Sequence, residues 1–284
     1  MTPFPLPYAS IRPLIETALA EDLGDAGDIT TLATIADDVT ATAHINARKA
    51  GTVSGVAVAE MVFHHVDASL AVAITKRDGE RLAPGDTIMT VIGNARSLLT
   101  AERPALNLLG HMSGIATATR HLVDLVEGTE AKIACTRKTL PGLRALQKFA
   151  VKCGGGMNHR FGLHDAVMIK DNHIVAAGGI GPALRAAKTS VGHTVKIEIE
   201  VDTIAQLEQV LAEGADIILL DNMGPEMLRT AVALAQGQAI LEASGNVRAE
   251  TVRAIAETGV DIISSGSLTH SAPNLDIGLD LTLG

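Results

Sequence analysis

The chain has 284 residues, with 23 Lys/Arg against 32 Asp/Glu, and is 47% hydrophobic with four Phe, one Tyr and no Trp. This acidic, aromatic-poor composition excludes a broad basic nucleic-acid face and base-stacking platforms, and two cysteines exclude a disulfide framework. No apolar run approaches the roughly 18 residues of a membrane span, and MTPFPLPYASIRPLIE lacks the basic-then-apolar pattern of a signal peptide, so a cytoplasmic protein is the expectation. An aliphatic core with 27 Gly suits an α/β protein with buried parallel strands.

In chain order, Ile11, Leu14, Ile15, Ala18 and Leu19 recur at helical spacing, and Gly24 ends that helix. Val39, Ala41, Ala43, Ile45 and Ala47 alternate with polar residues, as in a half-buried strand. Further strands fit Leu70–Thr75 and Thr87–Ile92 around the turn-rich RDGERLAPGD. The pairing of ARKAGTVSGV with LAPGDTIMTVIG has a faint likeness to a biotinyl or lipoyl carrier. The tight hairpin of such carriers is not evident, so Lys49 reads as a surface lysine at a strand end. A helix over Leu98–Met112 leads into the second half.

From about Lys132 the pattern changes to short apolar runs, IACT, AVMIK, VKIEIEV, DIILLD, AILEAS and DIISSG, separated by helix-length segments. That alternation predicts right-handed βαβ units and a parallel sheet. Each run ends in a polar residue: Arg137 and Lys138, Lys170, Glu200, Asp221, Ser244, then Ser265-Gly266. In a barrel or an open parallel sheet such ends converge on one ligand site. No G-x-G-x-x-G fingerprint occurs, which favours a barrel.

Residues 136–173 hold seven Lys/Arg against Asp165 and Asp171 in an otherwise acidic chain. A local cationic window predicts a pocket for a small polyanion. Arg137, Lys138, Arg160 and Lys170 are the candidates. Arg144, Lys148 and Lys152, four apart, read as the solvated face of a helix. His159 adjoins Arg160 after a glycine run, and His173 closes KDNH. The other histidines carry no pattern, and no pair of His, Cys or Asp shows zinc spacing. Cys153 reads as a packed helix-terminal thiol.

Glu200 and Asp221 fit either a general acid/base pair or hard-oxygen ligands for Mg²⁺, which takes one or two carboxylates and completes its shell with water and phosphates. The surrounding cations favour the metal–diphosphate arrangement. The bland alternative for Glu200 is a pair with a neighbour such as Lys196. The turns EASGN (242–246) and ISSGS (263–267) offer hydroxyls and unhindered N–H groups for a terminal phosphate.

The ordered set AEDLGDAGDITT, ERPALNLLGHMSGIAT, TRKTLPGLR, AVKCGGGMNHRFGLHDAVMIKDNH, EVD, LLDNM, EASGN and SGSLTHS resembles the quinolinate phosphoribosyltransferases over nearly the whole chain. The resemblance implies an N-terminal α/β sandwich, residues 1–113 completed by the tail 271–284, and an incomplete α/β barrel over 114–270. It also implies a homodimer with shared sites, and a reaction of quinolinate with phosphoribosyl pyrophosphate that needs Mg²⁺ and yields nicotinate mononucleotide, pyrophosphate and CO₂. By motif, Arg103 (from the partner subunit), Arg137, His159, Arg160 and Lys170 would bind the two carboxylates of quinolinate, and Thr136 would be a further substrate-binding residue. Lys138 would face the phosphoribosyl pyrophosphate. Glu200 and Asp221 would serve its ribose and metal, and Ser244, Gly245, Asn246, Ser265 and Gly266 its 5′-phosphate. Lys138, Lys170, Glu200 and Asp221 would be the catalytic set. Asn246 stands where other members carry Gly. The alternatives are a molybdenum-transport-associated homologue, a phosphoribosyltransferase for another pyridine or pyrimidine acid, and a non-catalytic anion-binding protein on the same scaffold.

Overall fold

A computed structural model describes residues 6–283. The chain forms two compact units. The first takes the chain up to Arg120, Leu140–Gly155 and the stretch from Ser271; the second takes His121–Thr139 and Gly156–His270. No helix among the described residues is long and apolar enough to cross a membrane.

The first unit contains α1 (Tyr8–Leu23), α2 (Ile29–Thr34), β1 (Thr40–Ala47), β2 (Gly51–Thr52), α3 (Val56–Val66), β3 (Ala71–Ile74), β4 (Arg81–Leu82) and β5 (Thr87–Asn94). The alternation read along β1 is real: Ala41, Ala43, Ile45 and Ala47 are buried and their neighbours are not. The core of this unit also takes in Ile11 and Ile15 of α1 and Val62 and Phe63 of α3, all almost fully buried. Lys49 is exposed just past the end of β1. The helix foreseen at Leu98–Met112 is α4 (Ala95–Leu125), 31 residues long.

The second unit begins with β6 (Lys132–Ala134). After α5 (Arg144–Cys153), which packs in the first unit, come β7 (Val167–Ile169), α6 (Asp171–Ala177), α7 (Ile180–Ser190), β8 (Ile197–Val201), α8 (Ile204–Glu213), β9 (Ile217–Asp221), α9 (Pro225–Ala235), β10 (Ile240–Ser244), α10 (Ala249–Ala256), β11 (Ile262–Ser264) and α11 (Ser267–His270). All six strands are parallel, in the order β6-β11-β10-β9-β8-β7. Buried centres in β8, β9 and β10 are what helices on the outer face require. Helices α8, α9 and α10 turn an aliphatic stripe inward, with Leu207 and Val210, Leu228 and Ala231, and Val252 and Ile255. The arrangement is an incomplete α/β barrel. At its open side Met157 bridges to Ala134 on β6, which starts the segment carrying His159 and Arg160.

Residues 140–155 pack within the first unit, where the Gln147 amide lies 3.0 Å from His111 Nε2 of α4. One expectation from the sequence requires correction. Lys148 is only 2% exposed, so α5 does not present a solvated basic face. Spacing of four shows that side chains share a face but not whether that face meets water, and α5 is covered on most sides.

The tail strand β12 (Ile277–Leu283) pairs antiparallel with β1 from Ala47↔Ile277 to Ala41↔Leu283, giving the sheet order β12-β1-β5-β3. It covers the backbone edge of β1. Deleting the chain from Asp276 onward is expected to lower the thermal midpoint and to cause concentration-dependent aggregation, because a bared edge strand is a template for pairing. Calorimetry together with light scattering checks both.

Candidate active site

At the C-terminal ends of the barrel strands lies a cavity of about 720 Å³, lined wholly by the second unit. Strand order dictates what surrounds it. Around the rim come Thr136–Lys138 after β6, Ser265-Gly266 after β11, Ser244–Asn246 after β10, Asp221 on β9, Glu200 on β8 and Lys170 after β7. The cations flank the open side, with His159 and Arg160 also in the wall. The acids and the serine–glycine turns occupy the middle of the sheet. Every sequence-read candidate except Arg103 lines this cavity. Arg103 sits on α4 in the first unit, with its side chain 64% exposed and 3.9 Å from Glu102.

The loop after β6 is held from both ends. Thr136 Oγ1 accepts a hydrogen bond from Lys138 N (3.0 Å), and Thr269 Oγ1 donates to the Lys138 carbonyl (2.7 Å). A Cβ built on Gly266 would stand 2.8 Å from Lys138 Cδ. Glycine there lets the lysine lie across the turn. On the far side, Lys170 Nζ donates to Glu200 Oε2, while Lys196 pairs with Asp216 at 2.7 Å. Glu200 is therefore partnered by the active-site lysine and not by Lys196.

Arg160 donates to the Ala166 carbonyl (3.0 Å). Between them Asp165 accepts from the backbone N–H groups of Phe161 and Gly162 (2.5 and 2.8 Å), which closes the loop and sets the guanidinium's direction. Burial, and then the neighbouring charge of Arg137, push the Arg160 pKa down, while Glu198 and Asp165 oppose that shift. Arg160 Nε is buried with no protein acceptor, an orphan donor of the kind concentrated in functional sites.

Beneath these cations lies a pair that the sequence reading missed. Glu198 and Glu242 are each 3% exposed. His159 Nε2 lies 2.9 Å from Glu198 Oε2 and 3.8 Å from Glu242 Oε1. Because His159 Nδ1 accepts from Arg160 N (2.7 Å), the ring proton sits on Nε2 and is donated to Glu198. Burial first, and then the Glu198 carboxylate, push the Glu242 carboxyl up to about 7, with His159 pulling the other way. Three such groups within 4.8 Å could in principle hold a metal ion. A hydrogen bond already occupies the imidazole donor, however, and Arg160 supplies positive charge nearby, so the cluster reads as an internal counter-charge. The signal for it was available in the sequence. Glu198 precedes Glu200 by two and Glu242 precedes Ser244 by two, so each pair shares the inner face of its strand.

The phosphate-type turn has a specific backbone. Gly245 has φ +94°, and Asn246 has φ 52°, a left-handed conformation that Asn adopts more readily than most residues. The ISSGS turn leads only into the four-residue α11, so its contribution is the hydroxyls and N–H groups of Ser265–Ser267 and not a helix dipole. The Cys153 thiol is buried and pushed up to about 12, chiefly by that burial, so it is not a thiolate at neutral pH.

The Glu242 shift carries a sign. A carboxyl whose folded pKa is raised binds its proton more tightly when folded, so stability falls as pH rises from about 4.5 to about 7. Denaturant titrations across that window should show Glu242→Gln losing less stability with rising pH than the wild type. Parallel slopes would remove Glu242 from the linkage.

Residues 115–280 match the model of the quinolinate phosphoribosyl transferase C-terminal domain, and residues 28–113 match that of its N-terminal domain. The chain is 47% identical over 279 residues to the nicotinate-nucleotide pyrophosphorylase [carboxylating] of Mycobacterium leprae, covering 96% of this chain and 98% of that one. It is 42% identical to the probable enzyme of the same name from Bacillus subtilis, covering 97% and 95%. The crystal structure of NadC from Streptococcus pyogenes superposes with a TM-score of 0.96 at 40% identity, covering 99% of this chain and all of that one. Two domain models in order, near-complete coverage and a shared fold lead to one conclusion: this chain belongs to the quinolinate phosphoribosyl transferase family.

Proposed function

We infer that the protein is a carboxylating nicotinate-nucleotide pyrophosphorylase, which joins quinolinate to phosphoribosyl pyrophosphate and releases pyrophosphate and CO₂ in forming nicotinate mononucleotide. The observation that carries this reading is the polarity of one rim. Cations crowd the open side of the barrel, while acids and serine–glycine turns lie at the middle of the sheet. A dicarboxylate suits the first region and a phosphorylated sugar the second.

In this reading Arg137, Arg160 and Lys170 hold the quinolinate carboxylates. His159 has both ring nitrogens engaged within the protein. Its part is to anchor the Arg160 backbone on one side and the Glu198 carboxylate on the other, in place of the direct carboxylate contact that the family pattern suggests. Ser244–Asn246, Ser265 and Gly266 cradle the 5′-phosphate. Glu200 and Asp221, on adjacent strand ends, supply the one or two hard oxygens that Mg²⁺ uses, the remainder of its shell coming from water and diphosphate. Bound there, Mg²⁺ would neutralise charge on the pyrophosphate leaving group.

Lys138 stabilises the departing pyrophosphate as its charge develops. The fixed cations hold the pyridine nitrogen against the ribosyl carbon. Once that nitrogen is alkylated, the cationic ring stabilises the carbanion left on the ring carbon when the adjacent carboxylate departs as CO₂, and a proton taken up from water at that carbon completes nicotinate mononucleotide. Positioning and electrostatics suffice, and no covalent nucleophile is required.

Nicotinate mononucleotide formed from quinolinate, phosphoribosyl pyrophosphate and Mg²⁺ is the direct test, and no product under saturating substrates would overturn the reading. Arg137→Ala should weaken quinolinate binding by about 2–5 kcal/mol, the loss expected for a charge-assisted partner in a closed site, as read by calorimetry. Arg103 lies outside the strand-end rim, and a two-fold partner could present it to the neighbouring site, each chain completing the other. Mixing inactive Arg103→Ala with inactive Lys138→Ala should then restore part of the activity through heterodimers holding one native site. Confirmed subunit exchange without recovered activity would place Arg103 elsewhere.

A further inference from the structure

The ends of β9 and β10 are joined by a side chain to which nothing above assigns a role. Asp221 lies opposite Ser244 in the parallel register, and the next residue, Asn222, turns into the left-handed region at φ 54°. From there its backbone N–H donates to the Ser244 carbonyl (2.9 Å). Its Nδ2 donates to Asp221 Oδ2 (2.7 Å), and its Oδ1 accepts from Asn246 Nδ2 (3.3 Å). Asn246 is itself left-handed. Two consecutive strand ends thus carry non-glycine residues in a conformation that L side chains disfavour, and their amides meet.

The contact leaves no room for a variant turn. A Cβ on Gly245 would stand 2.1 Å from Asn222 Oδ1 and 3.1 Å from Asn222 N. The amide occupies the space that the glycine vacates, so turn and asparagine are built for each other. An amide is the group this place requires. It donates to a carboxylate on one side and accepts from an amide on the other, whereas a carboxylate or a hydrocarbon could not do both.

We propose that Asn222 is a positioning residue that ties the Asp221 carboxylate to the Gly245–Asn246 turn and so holds the ribosyl and phosphate ends of the site in fixed register. One oxygen of Asp221 is committed to Asn222, and Oδ1 is left to face ligand or its metal. Without the amide, Asp221 regains its side-chain torsions, and the phosphate turn loses its tether to the neighbouring strand end. The cations assigned to the dicarboxylate stand on the β6 and β7 flanks and are untouched. The inference rests on the reading that Asp221 serves the phosphoribosyl pyrophosphate.

The test uses Asn222→Ala, Asn222→Asp and Asn222→Gly in the full chain, with Asp221→Asn as the control. Asn222→Ala should raise the KM for phosphoribosyl pyrophosphate about ten-fold, the worth of one hydrogen bond to a charged group. The quinolinate Kd, measured by calorimetry without the second substrate, should stay within about two-fold, as expected for a site that shares no partner. Asn222→Asp keeps the volume and tolerates the same backbone, yet sets an oxygen against Asp221, so its KM should rise further. Asn222→Gly relieves the left-handed backbone. Its thermal midpoint should hold or rise while its KM still increases, a divergence that a merely structural residue would not produce. A KM within about two-fold of wild type in both Asn222→Ala and Asn222→Asp overturns the proposal. So does a quinolinate Kd that weakens in step with KM, or an Asn222→Gly whose midpoint falls alongside its affinity. If Asp221→Asn itself leaves KM unchanged, the reading of Asp221 fails and takes the inference with it. If Asp221→Asn is impaired and the Asn222 variants are normal, the inference alone fails.

Discussion

Charge buried inside a parallel barrel is the constraint on which this site depends. Glu198 and Glu242 face the interior at positions where a parallel sheet ordinarily places aliphatic side chains, and both are almost fully enclosed. Carboxylates in such a place survive only when their charge is balanced or removed. Both solutions operate here. Glu198 accepts from His159 and faces the charge of Arg160, and the Glu242 carboxyl is pushed up to about 7, so a proton is retained well above the usual carboxylate range. The arrangement gives Arg160 a counter-charge from below, which lets like-charged guanidinium groups converge on one wall of the cavity before any anion arrives.

Backbone construction follows from that need for preset geometry. The segment bearing His159 and Arg160 is pinned by the Ala134–Met157 bridge at its start and by Asp165 at its turn. The Lys138 loop is tied to α11 through Thr269. Short parallel strands end abruptly, and each end hands one polar group to the rim. A fold of this kind can change its chemistry by changing loops while the sheet is left alone. It also makes the rim order a direct readout of strand order, and here strand order separates the cationic flanks from the phosphate turns.

The sequence and the structure agree most closely where periodicity is strong. Alternation in β1 and the run of βαβ units specified the sheet, because a half-buried strand and a strand covered on both faces leave different hydrophobic patterns. Strand-end residues from Arg137 to Gly266 were legible for the same reason: where an apolar run stops, its last polar residue faces the rim. Lys148 shows the failure of that logic. Helical spacing placed it beside Arg144 and Lys152, yet burial of α5 is decided by what packs over it. The hidden acids are the converse case, since Glu198 sits in a run whose hydrophobicity suggested nothing but core.

What the sequence alone determined was the set of elements, the cationic window and the family. Each is written in local pattern or in motifs of contiguous residues, and local pattern survives without knowledge of what lies across the fold. Only the tertiary structure decided partners. It paired Lys170 with Glu200 rather than Lys196 with Glu200, placed His159 on a buried acid pair, joined Asn222 to Asp221 and Asn246, and laid the last strand against the first. These choices depend on register and chain crossing between segments distant in sequence. Distances of a few ångströms between such segments are fixed by packing the whole barrel, and no spacing along the chain encodes them.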